Sequence, residues 1–179
     1  MQKQPPIFLI TGAPGTGKTS VATALMRRFS YGLLIPVDDL REWVVSGIAH
    51  PIPTWTDETS RQFHLARQAA AQMARLYVDA GFAVAIDDII YPDQAQSIYI
   101  DQLQGYTIAK VLLQPAAETA SVRNARRTNK QFDTSLLSEA IPDIHQRLAS
   151  QDFASFGWLI IDNTHLSLEQ TVDMIVHSL

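Results

Sequence analysis

Ile7-Phe8-Leu9-Ile10-Thr11-Gly12-Ala13-Pro14-Gly15-Thr16-Gly17-Lys18-Thr19 is an apolar run of strand length that ends in the phosphate-binding pattern G-x-x-x-x-G-K-[ST]. The glycines permit a turn whose backbone N–H groups converge on a phosphate. Lys18 has the reach for the β and γ oxygens, and Thr19 offers a hydroxyl to Mg²⁺. Contacts to a nucleotide's phosphates are therefore expected from Gly12, Ala13, Pro14, Gly15, Thr16, Gly17, Lys18, Thr19 and Ser20. Beyond the loop, Val21, Ala22, Leu25, Met26 and Phe29 recur at helical spacing, so the motif sits where it should, between a strand and a helix.

The rest of the composition narrows the class. A chain of 179 residues suits one well-packed domain, expected to span 1–179. An apolar share of 46% with 18% charged residues is that of an ordinary globule. No apolar run has the length of a membrane span. Lys3 and Pro5-Pro6 precede a stretch already committed to the first strand, so no signal peptide is expected. With no cysteine, disulfides, thiolate metal sites and cysteine nucleophiles are excluded, which suits a cytoplasmic location. A net charge of −4 gives no footprint for duplex nucleic acid or an anionic membrane. Histidines 50, 64, 145, 165 and 177 include no pair within four residues, so no helix-borne histidine metal site is expected.

Apolar strand-length runs alternate with helical patterns: Ile7 to Thr11, Gly32 to Val37, Ala83 to Asp87, Thr107 to Leu113 and Trp158 to Asp162. This predicts an α/β fold with a mostly parallel sheet covered on both faces. Phe63, Ala66, Ala69, Ala70, Met73, Tyr77 and Ala80 mark one face of a long helix closed by Gly81. Pro115 fits a first helical turn after the fourth strand. Ser167 with Gln170 forms a candidate capping box, followed by a stripe of Leu168, Val172, Ile175, Val176 and Leu179. Ser46 to Thr56 contains His50-Pro51-Ile52-Pro53 and cannot be regular helix, while Thr128 to Thr134 reads as loop. Each borders a ligand crevice or is plain connection.

Acidic pairs close two of the strands. The second run ends in Asp38-Asp39, at the carboxyl end where parallel strands face ligands. Asp38 is the candidate base that takes a proton from an attacking hydroxyl, with Asp39 and Arg41 as neighbours. The alternative is a cap on a helix running through Leu40 to Val45. The third run ends in Asp87-Asp88, of which Asp87 is the candidate to hold Mg²⁺ together with Thr19. Arg123, Arg126, Arg127 and Lys130 crowd ten positions, and Arg123 and Arg127, four apart, share a helix face. Such a face either clamps transferring phosphates as a catalytic lid, about 116–134, or is simply solvated. Asn129-Lys130-Gln131-Phe132 lacks the aspartate of a guanine-reading motif, and Ile161-Asp162-Asn163-Thr164 is a turn that also suits a place beside the base.

With those residues in place, the chain resembles the small P-loop kinases, most of all the chloramphenicol phosphotransferase-like branch near the zeta toxins and the gluconate and shikimate kinases. Val37-Asp38 before a helix, Ala80-Gly81 leading into Ile86-Asp87-Asp88, and Ile161-Asp162-Asn163-Thr164-His165 carry the branch resemblance. It implies a three-layer P-loop NTPase of the nucleoside-monophosphate-kinase type, with five parallel strands in the order 2-3-1-4-5. It also implies lid arginines that map onto Arg123 and Arg127. The stretches from Gly47 to Trp55 and from Asn129 to Gln151 depart from the antibiotic-kinase pattern, and Trp43, Trp55 and Phe63 offer either stacking surface or core. The expected activity is transfer of the γ-phosphoryl group of ATP, with Mg²⁺, to a hydroxyl of a small antibiotic-, sugar- or nucleoside-like molecule. The rival readings are a nucleotide or polynucleotide-end kinase and a nucleotide-binding switch without transfer.

Overall fold

The computed structural model describes residues 4–125 and 135–179, with the backbone alone for 135–141. Among these residues the strands β1 (Ile7–Thr11), β2 (Gly32–Pro36), β3 (Ala83–Asp87), β4 (Ile108–Leu113) and β5 (Leu159–Ile161) form one parallel sheet. Its order is β2-β3-β1-β4-β5, with Ile7 opposite both Val84 and Ile108. The helices are α1 (Lys18–Met26), α2 (Val37–Glu42), α3 (Asp57–Asp79), α4 (Pro92–Ala95), α5 (Ala117–Ala125), α6 (Ser135–Ala149) and α7 (Leu168–His177). A π-helical turn, Gln96–Ile100, continues α4.

β1 and β3 are buried at every residue, as strands covered on both faces must be. The period-2 alternation then sorts β1 between two cores. Phe8 and Ile10 pack with Val21 and Leu25 of α1 and Val172 and Ile175 of α7. Ile7 and Leu9 face the other way, toward Ala70, Ala74 and Val78 of α3 and the buried Tyr99 and Leu103. The expected order and architecture are thus observed, and every strand's carboxyl end points to one crevice edge.

Several local expectations are corrected. The second strand stops at Pro36 and α2 begins at Val37, so Asp38 and Asp39 sit inside a first helical turn instead of ending a strand. Proline has no N–H to extend a ladder, and acids suit the positive end of a helix. Asp38 is also not the cap, a position held by Pro36, and α2 ends at Glu42. The buried face of α3 runs through Phe63, Ala66, Ala70, Ala74 and Val78, leaving Ala69 and Ala80 exposed. Pro115 precedes α5 without entering it. The Ser167–Gln170 capping box is present, but Leu168, Val176 and Leu179 are exposed and Thr171 takes an inward position. Thr128 to Thr134 lies outside the described residues.

The Pro-rich segment is tied down from α3. Gln62 donates to Gly47 O at 2.8 Å and accepts from Ala49 N at 2.9 Å, and Thr59 donates to His50 O. A Thr56–Thr59 capping box fixes where α3 starts. Among the described residues no helix is long and apolar enough to cross a membrane.

Candidate functional site

The loop between β1 and α1 turns through positive φ at Gly12 (149°), Gly15 (83°) and Gly17 (96°). Space, as well as backbone angle, demands glycine at Gly15: an added Cβ would stand 2.1 Å from Ala120 O of α5. Gly15→Ala is therefore expected to cost about 3 kcal/mol through overpacking and the positive φ. A thermal melt should show a midpoint lower by roughly 5–10 °C. An unchanged melt would mean that α5 does not rest on the loop.

Lys18 folds back over this loop, its Nζ donating to Gly12 O at 2.8 Å and Ala13 O at 3.2 Å. Asn163, in the turn after β5, supports the loop from behind by donating through Nδ2 to Thr16 O at 3.0 Å. Arg123 of α5 donates to the Asn163 carbonyl at 3.1 Å. Gly15, Gly17, Lys18, Thr19, Ser20 and Arg123 line a cavity of about 190 Å³. That is below the roughly 300–1,000 Å³ of a site enclosing a whole organic ligand, and suits a phosphate chain.

Under the loop, Thr19 Oγ1 donates to Asp87 Oδ2 at 2.6 Å. The two expected Mg²⁺ residues therefore touch. Burial raises the pKa of Asp87 above the usual carboxylate range, and Asp38 and Asp88 add to this against the pull of Lys18 and the Thr19 hydrogen bond. Among the described residues no group of three or more His, Asp or Glu gathers to hold a metal by itself. A hydroxyl and one carboxylate beside a phosphate cradle is the donor set of a Mg²⁺ that borrows its other oxygens from phosphate and water.

The raised pKa fixes the sign of a stability effect. The neutral form of Asp87 is favoured by folding, so its contribution is complete below the ordinary aspartate range and is lost as pH rises through the raised value. Asp87→Asn, which keeps an acceptor for Thr19, should match the wild type in acid and exceed it in stability near neutrality. Melting curves from acid to neutral pH, without nucleotide, check this.

Asp88 turns away from the loop. Arg67 of α3 grips it with Nε at 2.8 Å from Oδ2 and Nη2 at 3.3 Å from Oδ1, and also donates to Ile89 O at 2.9 Å. Tyr99 donates to Oδ2 at 3.0 Å, and its phenol is pushed well above the usual range by burial and by the Asp88 charge. Burial disfavours the Arg67 cation, but the charge and hydrogen bonds of Asp88, with Tyr99 and Asp38, together more than offset that and hold its pKa up. Asp38, half-buried on the first turn of α2, stands within electrostatic reach of both Asp87 and Arg67. It thus lies at the crevice even though the strand ends before it.

The aromatics sort differently from one another. Phe63 is buried and stacks on the half-exposed Trp55, with ring centroids 5.1 Å apart and planes at 14°. The guanidinium carbons of Arg41 and Arg67 lie 4.8 and 5.4 Å from the Phe63 centroid. Trp43 is exposed. Arg127, together with Arg126, Lys130 and the Asn129 to Phe132 stretch, lies outside the described residues. Sequence reading passed over Arg67, Tyr99 and Gln62, and placed Asn163 only in a polar turn, because their partners are 11 to 147 residues away.

The model of the AAA domain family matches residues 7–151. No curated protein matches the chain in sequence. Among solved structures, the tunicamycin resistance protein of Deinococcus radiodurans is 17% identical, covers 97% of this chain and 95% of its own, and superposes with a TM-score of 0.66. A gluconokinase of Sinorhizobium meliloti 1021 is 17% identical over 98% of this chain and 92% of its own, with a TM-score of 0.64. A sugar kinase of Janibacter sp. HTCC2649 has the same identity and coverage at 0.57. At such identities the likeness is one of fold, and that fold is the small P-loop kinase fold the sequence resembles.

Proposed function

The chain belongs to the AAA domain family, and from that premise we propose that it is a kinase that transfers the γ-phosphoryl group of ATP to a hydroxyl of a small molecule, with Mg²⁺ as cofactor. The observation that carries this reading is the Thr19–Asp87 hydrogen bond under a glycine-rich loop, with Asp38 on the first turn of α2 within electrostatic reach of Asp87. Bound Mg²⁺ supplies neutralisation of the phosphate oxygens. The backbone from Gly12 to Ser20 orients the phosphate chain, and Lys18 exchanges its bonds to Gly12 and Ala13 for phosphate oxygens. Thr19 and Asp87 hold the cofactor. Asp38 accepts the proton of the acceptor hydroxyl as its oxygen bonds to phosphorus and the bond to ADP breaks. Arg123, with Arg127, belongs to a lid over about 116–134 in a single domain and adds positive charge while excluding water.

Phosphoryl transfer from ATP across a panel of hydroxylated antibiotics, sugars, nucleosides and amino-alcohols tests the proposal. The expected result is near silence with water and turnover with one acceptor class. Slow ATP consumption indifferent to every acceptor would make the protein a switch and overturn the kinase reading.

A further inference from the structure

Three contacts join the phosphate loop, α5 and the turn after β5 into a closed ring, and Asn163 makes two of them. α5 rests on the loop at Gly15, where Ala120 O lies 2.1 Å from the place an added Cβ would take. Arg123, further along α5, donates through Nη2 to the main-chain oxygen of Asn163 at 3.1 Å. The Asn163 side chain then returns to the loop, its Nδ2 donating to Thr16 O at 3.0 Å. Ala116 N, just before α5, donates to Thr164 Oγ1 at 2.7 Å and holds the same turn in place.

Stability alone does not account for this amide. Asn163 is 4% exposed, and its buried Oδ1 has no hydrogen-bond partner among the described residues. An orphaned buried acceptor is destabilising, so what Asn163 supplies is the donor on its other atom. Thr16 C=O and Gly17 N–H belong to one planar trans peptide and point in opposite directions. Holding the carbonyl therefore fixes where the Gly17 N–H points, and Gly17 lines the cavity together with Arg123.

We infer that Asn163 is a positioning residue for phosphoryl transfer, setting both the Gly17 N–H and the Arg123 guanidinium toward the phosphate chain. Donors fixed in advance accelerate transfer because they need no rearrangement, and small misplacements forfeit much of that effect. The inference rests on the proposed kinase reading for the word transfer, but the coupling of Asn163 to Arg123 is also measurable from nucleotide binding alone.

Asn163→Leu has nearly the shape of the native residue and removes both the donor and the orphaned oxygen. Without nucleotide it should melt within a few degrees of the wild type. Its kcat at saturating substrates should fall by about 10- to 100-fold, with the acceptor KM unchanged. Its affinity for a non-hydrolysable ATP analogue with Mg²⁺ should fall by about tenfold. Asn163→Gln, with an amide donor on a longer stem, should recover part of both losses.

A double-mutant cycle with Arg123→Met decides the matter. Where Asn163 places Arg123, the combined variant loses less kcat than the product of the two single losses. Multiplicative losses in kcat would overturn the inference, as would a wild-type kcat in Asn163→Leu measured well below its melt. If Asn163→Leu does not fold, the cycle is run with Asn163→Gln and the same outcomes decide. In a protein that phosphorylates no acceptor, the cycle is read from analogue affinity. Losses smaller than the product then support the positioning role and sink the kinase reading, whereas multiplicative losses sink both.

Discussion

Asp38→Asn is expected to lower phosphoryl transfer to the acceptor by about 10²- to 10⁴-fold, the range of a lost general base. The amide has the shape of the carboxylate and a tolerable place on the first turn of α2, so the backbone has no reason to move. What it loses is the ability to take a proton. ATP affinity should remain close to that of the wild type, because the phosphate cradle is built from a different segment. Removing a negative charge that acts on Asp87 also relieves one of the influences raising the Asp87 pKa. Single-turnover transfer and ATP titration calorimetry on the same preparation separate the two effects. Wild-type turnover in the variant would reduce Asp38 to a helix-terminus acid, worth about 0.3–1 kcal/mol of stability at most.

Lys18→Ala should impair both quantities, with transfer falling by about 10²- to 10³-fold or more as a preorganised charge at the moving phosphoryl group is removed. Alanine is a strong helix former at the first residue of α1, so helix content should be unchanged. The loop, in contrast, loses the ammonium that spans Gly12 O and Ala13 O. Circular dichroism checks the fold, and kcat and KM measured together show whether the loss lies in binding, in the chemical step or in both. A loss in transfer below tenfold would show that the loop backbone suffices and that the lysine is ancillary.

The sequence displayed the nucleotide half of this site because that half is local. Gly12 to Thr19 is one continuous turn, and Asp87 lies at the end of an unbroken apolar run, so spacing alone aligns them. The unbroken apolar run of Ile7 to Thr11 was enough to announce a strand covered on both faces. Asp38 was legible as a residue at the right strand end, but not its helical setting, since Pro36 closes a strand or opens a helix with equal ease. The contacts on the α3 side of the sheet are not local. The Arg67–Asp88 pair spans 21 residues, Tyr99 reaches Asp88 through a π-helical turn that no periodicity announces, and Gln62 pins Gly47 and Ala49 with two polar atoms of one side chain. Arginines four or more positions apart on different helices look like solvated charge until a ring such as Phe63 brings them together.

The tether between α3 and the Pro-rich segment has a consequence for how such a protein diversifies. Gly47 to His50 hang from Gln62, Thr59 and Arg41, whereas the phosphate loop leans on Ala120, Asn163 and Asp87 through its own contacts. The two walls of the crevice share no fastening among these bonds. The 46–56 segment can therefore change, in length as well as in side chains, without breaking any of these bonds of the phosphate loop. A segment exchanged between Ser46 and Thr56 would change one wall of the crevice and leave the bonds of the phosphate loop in place.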